Sequence, residues 1–251
     1  MLSNIENLSG SAFNDTLIGN SLNNSLTGGA GNDSLVGDLG NDNLTGGVGA
    51  DSLDGGTGTD SANYSASSVA VSVNLSTGTG SGGDAVGDVL ISIENLGGSA
   101  FNDTLIGSTV NNSLSGGAGA DSLMGGAGRD NLSGGDGADT LTGAGSGDLG
   151  VGAIDTLTGG AGNDLFALAG FYNDGNSSTS GISDYALITD FSTAVDVIQL
   201  TGAASNYVLA ASPIGGISGT AIYRDDTVDE LVGIVKDVTG LNLSAGYFQY
   251  I

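Results

Sequence analysis

The chain has 251 residues, with 28 acidic and 3 basic side chains, a formal net charge of −25 at pH 7 and 48 glycines. That excess leaves no basic surface to meet nucleic-acid phosphates, and it disfavours anionic membranes. The sequence has no Cys and no His, which excludes disulfides, thiol metal sites and any catalytic triad or zinc centre built on histidine.

No apolar run reaches the ~18 residues of a transmembrane helix, so no membrane span is predicted. Residues 1–8 hold neither a basic region nor an apolar signal core, so the chain is either cytosolic or exported by a signal elsewhere.

A nine-residue beat starts near the N-terminus. Residues 28–36, 37–45 and 46–54 each follow G-G-x-G-x-D-x-L-x or a close variant. Glycine in the first half permits a tight turn and close approach to backbone carbonyls. The sixth-place Asp supplies a hard oxygen ligand suited to Ca²⁺. The last three residues make a short strand whose central Leu points inward. Two units then form one coil of 18 residues, and coils stack at the parallel-strand spacing of about 4.8 Å. The predicted fold class is all-β: a parallel β-roll or β-helix solenoid whose turns from units n and n+2 enclose one cation between them. A disordered Gly-rich linker has no reason to keep Asp sixth and an apolar residue eighth.

The first array spans residues 1–63. Its sixth-place residues are Asp15, Asn24, Asp33, Asp42, Asp51 and Asp60. Asn24 offers an oxygen but no charge, so its site is expected to be weaker. The unit from Gly10 has Phe13 where Gly belongs and is read as a cap. Backbone carbonyls of Gly28, Ala30, Asn32, Gly46, Val48 and Ala50 are expected to complete the ligand sets.

Residues 64–97 break the beat. Val69, Val71, Val73 and Leu75 alternate with polar residues, which predicts a strand. Residues 78–83 are read as a turn-rich loop. The segment is expected to form broader connecting β-coils, with Asp84 and Asp88 as either ligands or solvated turn residues.

A second array runs over residues 98–164. Ile93-Glu94-Asn95-Leu96 repeats Ile5-Glu6-Asn7-Leu8 at an offset of 88, and residues 99–107 repeat 11–19 without change, so the chain is a duplicated module. The module starts near the end of a coil, which hints at a fragment. The in-phase residues are Asp103, Asn112, Asp121, Asp130 and Asp139. A seven-residue unit, 143–149, carries Asp148, and the beat resumes with Asp155 and Asp164. That shortening is expected to kink or loosen one turn. Carbonyls of Gly116, Ala118, Ala120, Gly134, Asp136 and Ala138 are the matching ligands. Pairing n with n+2 gives 15/33, 24/42, 33/51 and 42/60, then 103/121, 112/130, 121/139, 130/148, 139/155 and 148/164. Ten calcium sites is the resulting upper bound.

Residues 165–251 lose glycine and gain aromatics. Residues 186–191, 196–200 and 220–223 read as strands, and 230–238 as strand or short helix. A solenoid's last coil exposes apolar surface and unpaired backbone, so this segment is assigned as the cap. Its aromatics are expected to pack in the core rather than form a sugar-binding platform.

The repeats at 28–60 and 116–139, with the IENL and GSAFNDTLIG blocks, resemble the repeats-in-toxin group, the hemolysin-type calcium-binding proteins of bacteria. Residues 159–166, 184–191 and 196–200 resemble the C-terminal module of such proteins, of a kind often seen in cyanobacteria. The resemblance implies type I secretion machinery reading an uncleaved C-terminal signal within 165–251. It also implies unfolded passage and folding on calcium outside the cell. No effector constellation is legible, so a non-enzymatic calcium-binding protein is expected, secreted or at the cell surface. A structural role in a sheath, surface layer or fibre leads, with self-assembly or a cell-surface polysaccharide as partner. The alternative is a folding-and-secretion module of a larger effector. Ice binding or adhesion is a minor reading, because the third turn positions (Ala12, Ser21, Ala30, Leu39, Val48, Thr57) form no Thr ladder.

Overall fold

The computed structural model describes residues 6–144, 153–168, 184–225 and 230–251. Its contacts fall into two compact units, Met1–Ser108 with Ser113–Asp121, and Thr109–Asn112 with Ser122–Ile251.

In the first unit the strands are β1 (Asn7–Ser9), β2 (Thr16–Ile18), β3 (Ser25–Ala30), β4 (Ser34–Val36), β5 (Asn43–Val48), β6 (Ser52–Asp54), β7 (Ser61–Asn63), β8 (Ser72–Asn74), β9 (Thr79–Ser81), β10 (Val89–Ile91), β11 (Asn95–Gly97), β12 (Thr104–Ile106) and β13 (Ser113–Ala118). One sheet runs β1-β3-β5-β7-β11-β13 and the other β2-β4-β6-β10-β9-β8-β12. The strands are short because each nonapeptide leaves only a polar–apolar–polar triplet outside its turn. In β4 only Leu35 is buried, its two neighbours half-covered. The inward residues register directly. Leu8, Leu26, Leu44, Ala62, Leu96 and Leu114 pair in succession in the first sheet. Leu17, Leu35, Leu53 and Leu90 do so in the second. Burying each such Leu stabilises by about 1.5–3 kcal/mol, which makes this thin ladder the core.

The turns between triplets are tight because one coil lies directly on the next. At Gly49 the backbone takes φ 151°, and a Cβ there would collide with the Gly31 carbonyl of the preceding coil. Only glycine fits such an approach.

The break in the beat is an excursion from one sheet. β7 and β11 pair in parallel, Ser61 opposite Asn95. Between them β8, β9 and β10 form an antiparallel meander, and β8 then pairs in parallel with β12. Two expectations are corrected here. The strand expected from Val69 to Leu75 is confined to Ser72–Asn74. Val71 and Val73 are buried, but Val69 is exposed and its carbonyl is held by Ser67 Oγ in a bend. The loop expected over 78–83 carries β9, because antiparallel partners on both sides supply the ladder that its glycines lack locally.

In the second unit the strands are β14 (Ser122–Gly126), β15 (Asn131–Asp136), β16 (Thr140–Ala144), β17 (Ile154–Ala161), β18 (Leu165–Ala167), β19 (Tyr185–Ile188), β20 (Val197–Leu200), β21 (Tyr207–Ala211), β22 (Gly219–Arg224), β23 (Glu230–Lys236) and β24 (Phe248–Tyr250). The sheets run β15-β17-β19-β23-β22-β21 and β14-β16-β18-β20-β24. Parallel stacking therefore continues past the last nonapeptide, and β23, β22 and β21 close it as an antiparallel meander. The sequence predicts neither β21 nor β24, and the strand-or-helix ambiguity over 230–238 resolves to strand.

The inward ladder changes character along this unit. Leu123, Leu141, Phe166, Ile198 and Phe248 are successive partners. Rings of Phe166, Phe191, Tyr247 and Phe248 follow one another at centroid distances of 5.3–6.1 Å. Tyr185, Ala221, Leu231 and Ile234 form a second buried cluster under the meander. Phe171 and Tyr172 lie outside the described residues. Among the described residues no helix is long and apolar enough to cross a membrane.

Candidate metal centres

Each turn repeats one arrangement. Asp33 Oδ1 accepts the backbone N–H of Asp15 on the coil before, at 2.8 Å. Asp42 does the same for Asn24, Asp51 for Asp33, and Asp60 for Asp42, at 2.6–2.7 Å. The second oxygens of Asp33, Asp42, Asp51 and Asp60 are buried with no hydrogen-bond partner. Leaving such an acceptor unmet costs about 1–3 kcal/mol or more for a charged group.

Those oxygens face a small cradle beside the first glycine of the turn. A Cβ on Gly28 would collide with Asp33 Oδ2 and lie 2.6 Å from the Gly46 carbonyl oxygen of the next coil. The same pairing recurs at Gly37 with Asp42 and the Gly55 carbonyl, at Gly125 with Asp130 and Gly143, and at Gly134 with Asp139 and Gly159. At Gly19 the side-chain oxygen is Asn24 Oδ1, beside the Gly37 carbonyl. A carboxylate and a carbonyl from adjacent coils thus converge on the same side of the glycine, each within 2.6 Å of where a Cβ would stand. Both are hard oxygen donors, the chemistry that Ca²⁺ requires, so the residues fit the ion. Among the described residues no three acidic side chains converge on one point, so backbone carbonyls must fill out any ligand set.

The field agrees with this. Burial raises the Asp42, Asp51 and Asp60 carboxyls above their ordinary value, the donated N–H groups lower them, and neighbouring carboxylates push them up again. Asp88 and Asp164 are each raised to about 6, burial being the main cause. A divalent cation in the cradle reverses that logic by favouring the charged form.

The structure places the expected residues unevenly. Pairs 15/33, 24/42, 33/51 and 42/60 lie on adjacent coils, as do 103/121 and 112/130. Of the expected carbonyls, those of Gly28, Gly46 and Gly116 reach cradles, whereas that of Val48 accepts the Gly31 N–H. Asp88 is buried and joins the ladder, accepting the N–H of Asp51. Asp84 is half-buried on a short 3₁₀ turn, outside the ladder.

The expected pairs 130/148 and 139/155 are corrected. Asp130 donates its N–H to Asp155 and Asp139 to Asp164, in each case across 25 residues. Each pair is thus separated by seven residues more than one 18-residue coil, and the shortened unit over 143–149, expected to kink a turn, lies mostly outside the described residues. β15 and β17 keep unbroken register from Asn131↔Thr156 to Asp136↔Ala161. Asp148, and with it the pair 148/164, lies outside the described residues.

Several members of the ladder escaped the sequence reading. Glu94 Oε2 takes the place of an Asp, accepting the N–H of Asp60 at 2.8 Å. Asp184 and Asp196 accept the N–H groups of Ala153 and Asp164, and Asp190 accepts those of Gly159 and Gly160. Each of Asp184 and Asp196 stands just before an apolar strand, as the repeat Asp does, and that local signal was available. A second, outer ladder uses the fifth position. Asn32 Nα–H donates to Asn14 Oδ1, Ala50 N–H to Asn32 Oδ1, and Thr59 N–H to Asn41 Oδ1. Asn is frequent there because its side-chain carbonyl holds the next coil's amide.

The sequence profile of the RTX calcium-binding nonapeptide repeat, in copies of four, matches residues 9–44, 27–62, 97–132, 115–149 and 149–167. No curated protein matches the chain. Among solved structures, the extracellular lipase LipA from Serratia marcescens is similar over 91% of this chain and 38% of its own length, at 16% identity and TM-score 0.33. The AlgE6R3 subunit of the Azotobacter vinelandii mannuronan C5-epimerase is similar over 52% of this chain and 68% of its own, at 25% identity and TM-score 0.20. The chain therefore spans well under half the length of the lipase. By its matched repeats, and by the parallel coils and acidic turns that those repeats build, the chain belongs to the RTX calcium-binding repeat proteins.

Proposed function

We propose that this protein is secreted, folds when it meets calcium outside the cell, and serves there as a structural or surface component. One observation carries the reading: buried carboxylate oxygens without a partner, with those of Asp33 and Asp42 lying beside a carbonyl of the next coil at the first glycine of the turn. A chain of net charge −25 repels itself until cations neutralise those turns.

The energetics favour a folding switch. With a site Kd of about 10⁻⁴ M, typical of extracellular modules, and about 2 mM free calcium, each ion contributes about 1.8 kcal/mol. At the ~10⁻⁷ M calcium of a cytosol the same site contributes almost nothing. Several sites together supply about 10 kcal/mol, comparable with the whole stability of a domain. Passage through a type I exporter as an unfolded chain is consistent with that balance.

The test is a calcium titration followed by far-UV circular dichroism, with light scattering on the same samples. A cooperative gain of β signal at submillimolar to millimolar calcium, with magnesium inert, is expected. Scattering that rises with it supports the assembling surface protein. A product that stays monomeric supports instead a folding-and-secretion module of a larger effector. A chain already folded in EDTA refutes the calcium switch.

A further inference from the structure

The acidic ladder contains two kinds of carboxylate. Asp33, Asp42, Asp51 and Asp60 each keep a buried oxygen that no donor meets. Asp88 does not. Its Oδ1 accepts the N–H of Asp51 at 2.8 Å, and its Oδ2 accepts the Tyr64 hydroxyl at 2.9 Å, with both side chains buried. Protein donors meet the carboxylate in the same way where each duplicated module begins. Ser11 donates its N–H and its hydroxyl to Asp15 Oδ2, at 2.6 and 2.9 Å. Ser99 donates its N–H to Asp103 Oδ2 and its hydroxyl to Asp103 Oδ1. In the regular turns the residue matching Ser11 and Ser99 is Gly29 or Gly47, which has no hydroxyl to give.

A second observation concerns the carbonyl. Beside Gly28 and Gly37 a glycine carbonyl of the next coil completes the cradle, and beside Gly10 and Gly98 it does so too, so at Asp15 and Asp103 the serine donors alone distinguish the rung. Beside Gly46, whose next coil is the one carrying Asp88, the three nearest atoms all belong to Asp51. A cation on Asp88 Oδ2 would have to displace a phenol whose proton points at that oxygen.

We infer that Tyr64, Ser11 and Ser99 close their rungs with hydrogen bonds in place of calcium, so that the ladder is divided into cation-binding rungs and metal-free rungs at the module boundaries. This rests on the calcium reading above and says which members of the repeat take ions. The physical reason is exchange. A carboxylate that already accepts two or three donors has its charge met, and a cation there gains only the difference. A buried carboxylate with an unmet oxygen gains the whole interaction. Tyr64 has a further effect: its bond to Asp88 spans 24 residues and ties down the excursion that carries β8 and β9 without an ion.

The experiment counts calcium ions per chain, by native mass spectrometry and by equilibrium dialysis, on the full chain. Asp42→Asn is expected to bind one ion fewer than the parent. Asp88→Asn and Asp103→Asn are expected to bind the parent's number, with far-UV circular dichroism in calcium reporting that each is folded. Asn in either place still accepts the backbone N–H, so the rung keeps its shape. Loss of an ion from a folded Asp88→Asn or Asp103→Asn protein overturns the assignment at that rung. Should either fail to fold, Tyr64→Phe and Ser99→Ala are read instead. Deleting the hydroxyl frees a carboxylate oxygen, so the count holds or rises, and a fall overturns the inference. A parent chain that binds no calcium overturns this inference and the function proposed above together. A fall confined to Asp42→Asn upholds both.

Discussion

Two glycines of one turn separate the ion's share of stability from the backbone's. Gly28 is outside the left-handed region, so Ala is tolerated by the backbone there, yet its Cβ would occupy the cradle between Asp33 Oδ2 and the Gly46 carbonyl. Gly31 has φ 116°, and a Cβ there would press on the Phe13–Asn14 backbone. Gly28→Ala removes no charge and no ligand, but it puts a methyl against the Asp33 carboxylate and the Gly46 carbonyl, the two oxygens proposed to hold the cation. The loss is the linkage of one site, about 1.8 kcal/mol at ~2 mM calcium for a Kd of about 10⁻⁴ M. Overpacking adds about 1–3 kcal/mol, whether calcium is present or not. Gly31→Ala costs at least ~1 kcal/mol through backbone strain, and that cost does not depend on calcium. The assay is denaturant unfolding at several calcium concentrations, paired with an ion count. Gly28→Ala should flatten the calcium dependence by one ion's worth, and Gly31→Ala should shift the curve without changing its slope against calcium. A Gly28→Ala protein that keeps the full count and slope refutes the placement of the ion in the cradle.

Asn24 Oδ1 lies beside the Gly19 cradle and accepts the Asn20 N–H at 2.7 Å, while its Nδ2 is buried without a partner. Asn24→Asp should therefore tighten that site by about tenfold or more, read by calorimetry, since ligand charge tunes calcium affinity. The outer ladder is separable from the inner one. Asn32→Ala removes the acceptor of the Ala50 N–H, at an exposed position, and should cost about 0.5–1 kcal/mol with no change in the ion count. The pH dependence without calcium has a definite sign. Asp88 and Asp164 are raised to about 6 in the fold, so protonation favours the folded form. That contribution is full below the ordinary carboxylate range and is lost as pH rises through about 6. In EDTA, β signal should be greater at pH 5 than at pH 7.5. In calcium the order should reverse, because the ion competes with protons at the cation-binding carboxylates, Asp42 and Asp60 among them, which burial also raises.

The nine-residue beat and its assignments were readable in the sequence because each unit solves the same local problem. Gly at the first place, Asp at the sixth and Leu at the eighth answer to a turn, an oxygen and an inward side chain, all within one unit. The composition set the charge, and the loss of glycine after residue 164 marked where the repeats end. What the sequence could not decide was which carboxylate lies over which. Asp130 meets Asp155 rather than Asp148, Asp51 meets Asp88, and Asp60 meets Glu94. Those partners are set by coil closure. A strand can pair only where the next triplet returns to register, and a longer connection between two triplets adds little loop-closure entropy. Spacing along the chain therefore gives the partner only where the coil length is constant. Tyr64 is the clearest case. Nothing near it in sequence marks it as a donor to an acidic rung, and only the excursion that brings Asp88 back under Asp51 puts the phenol against that carboxylate.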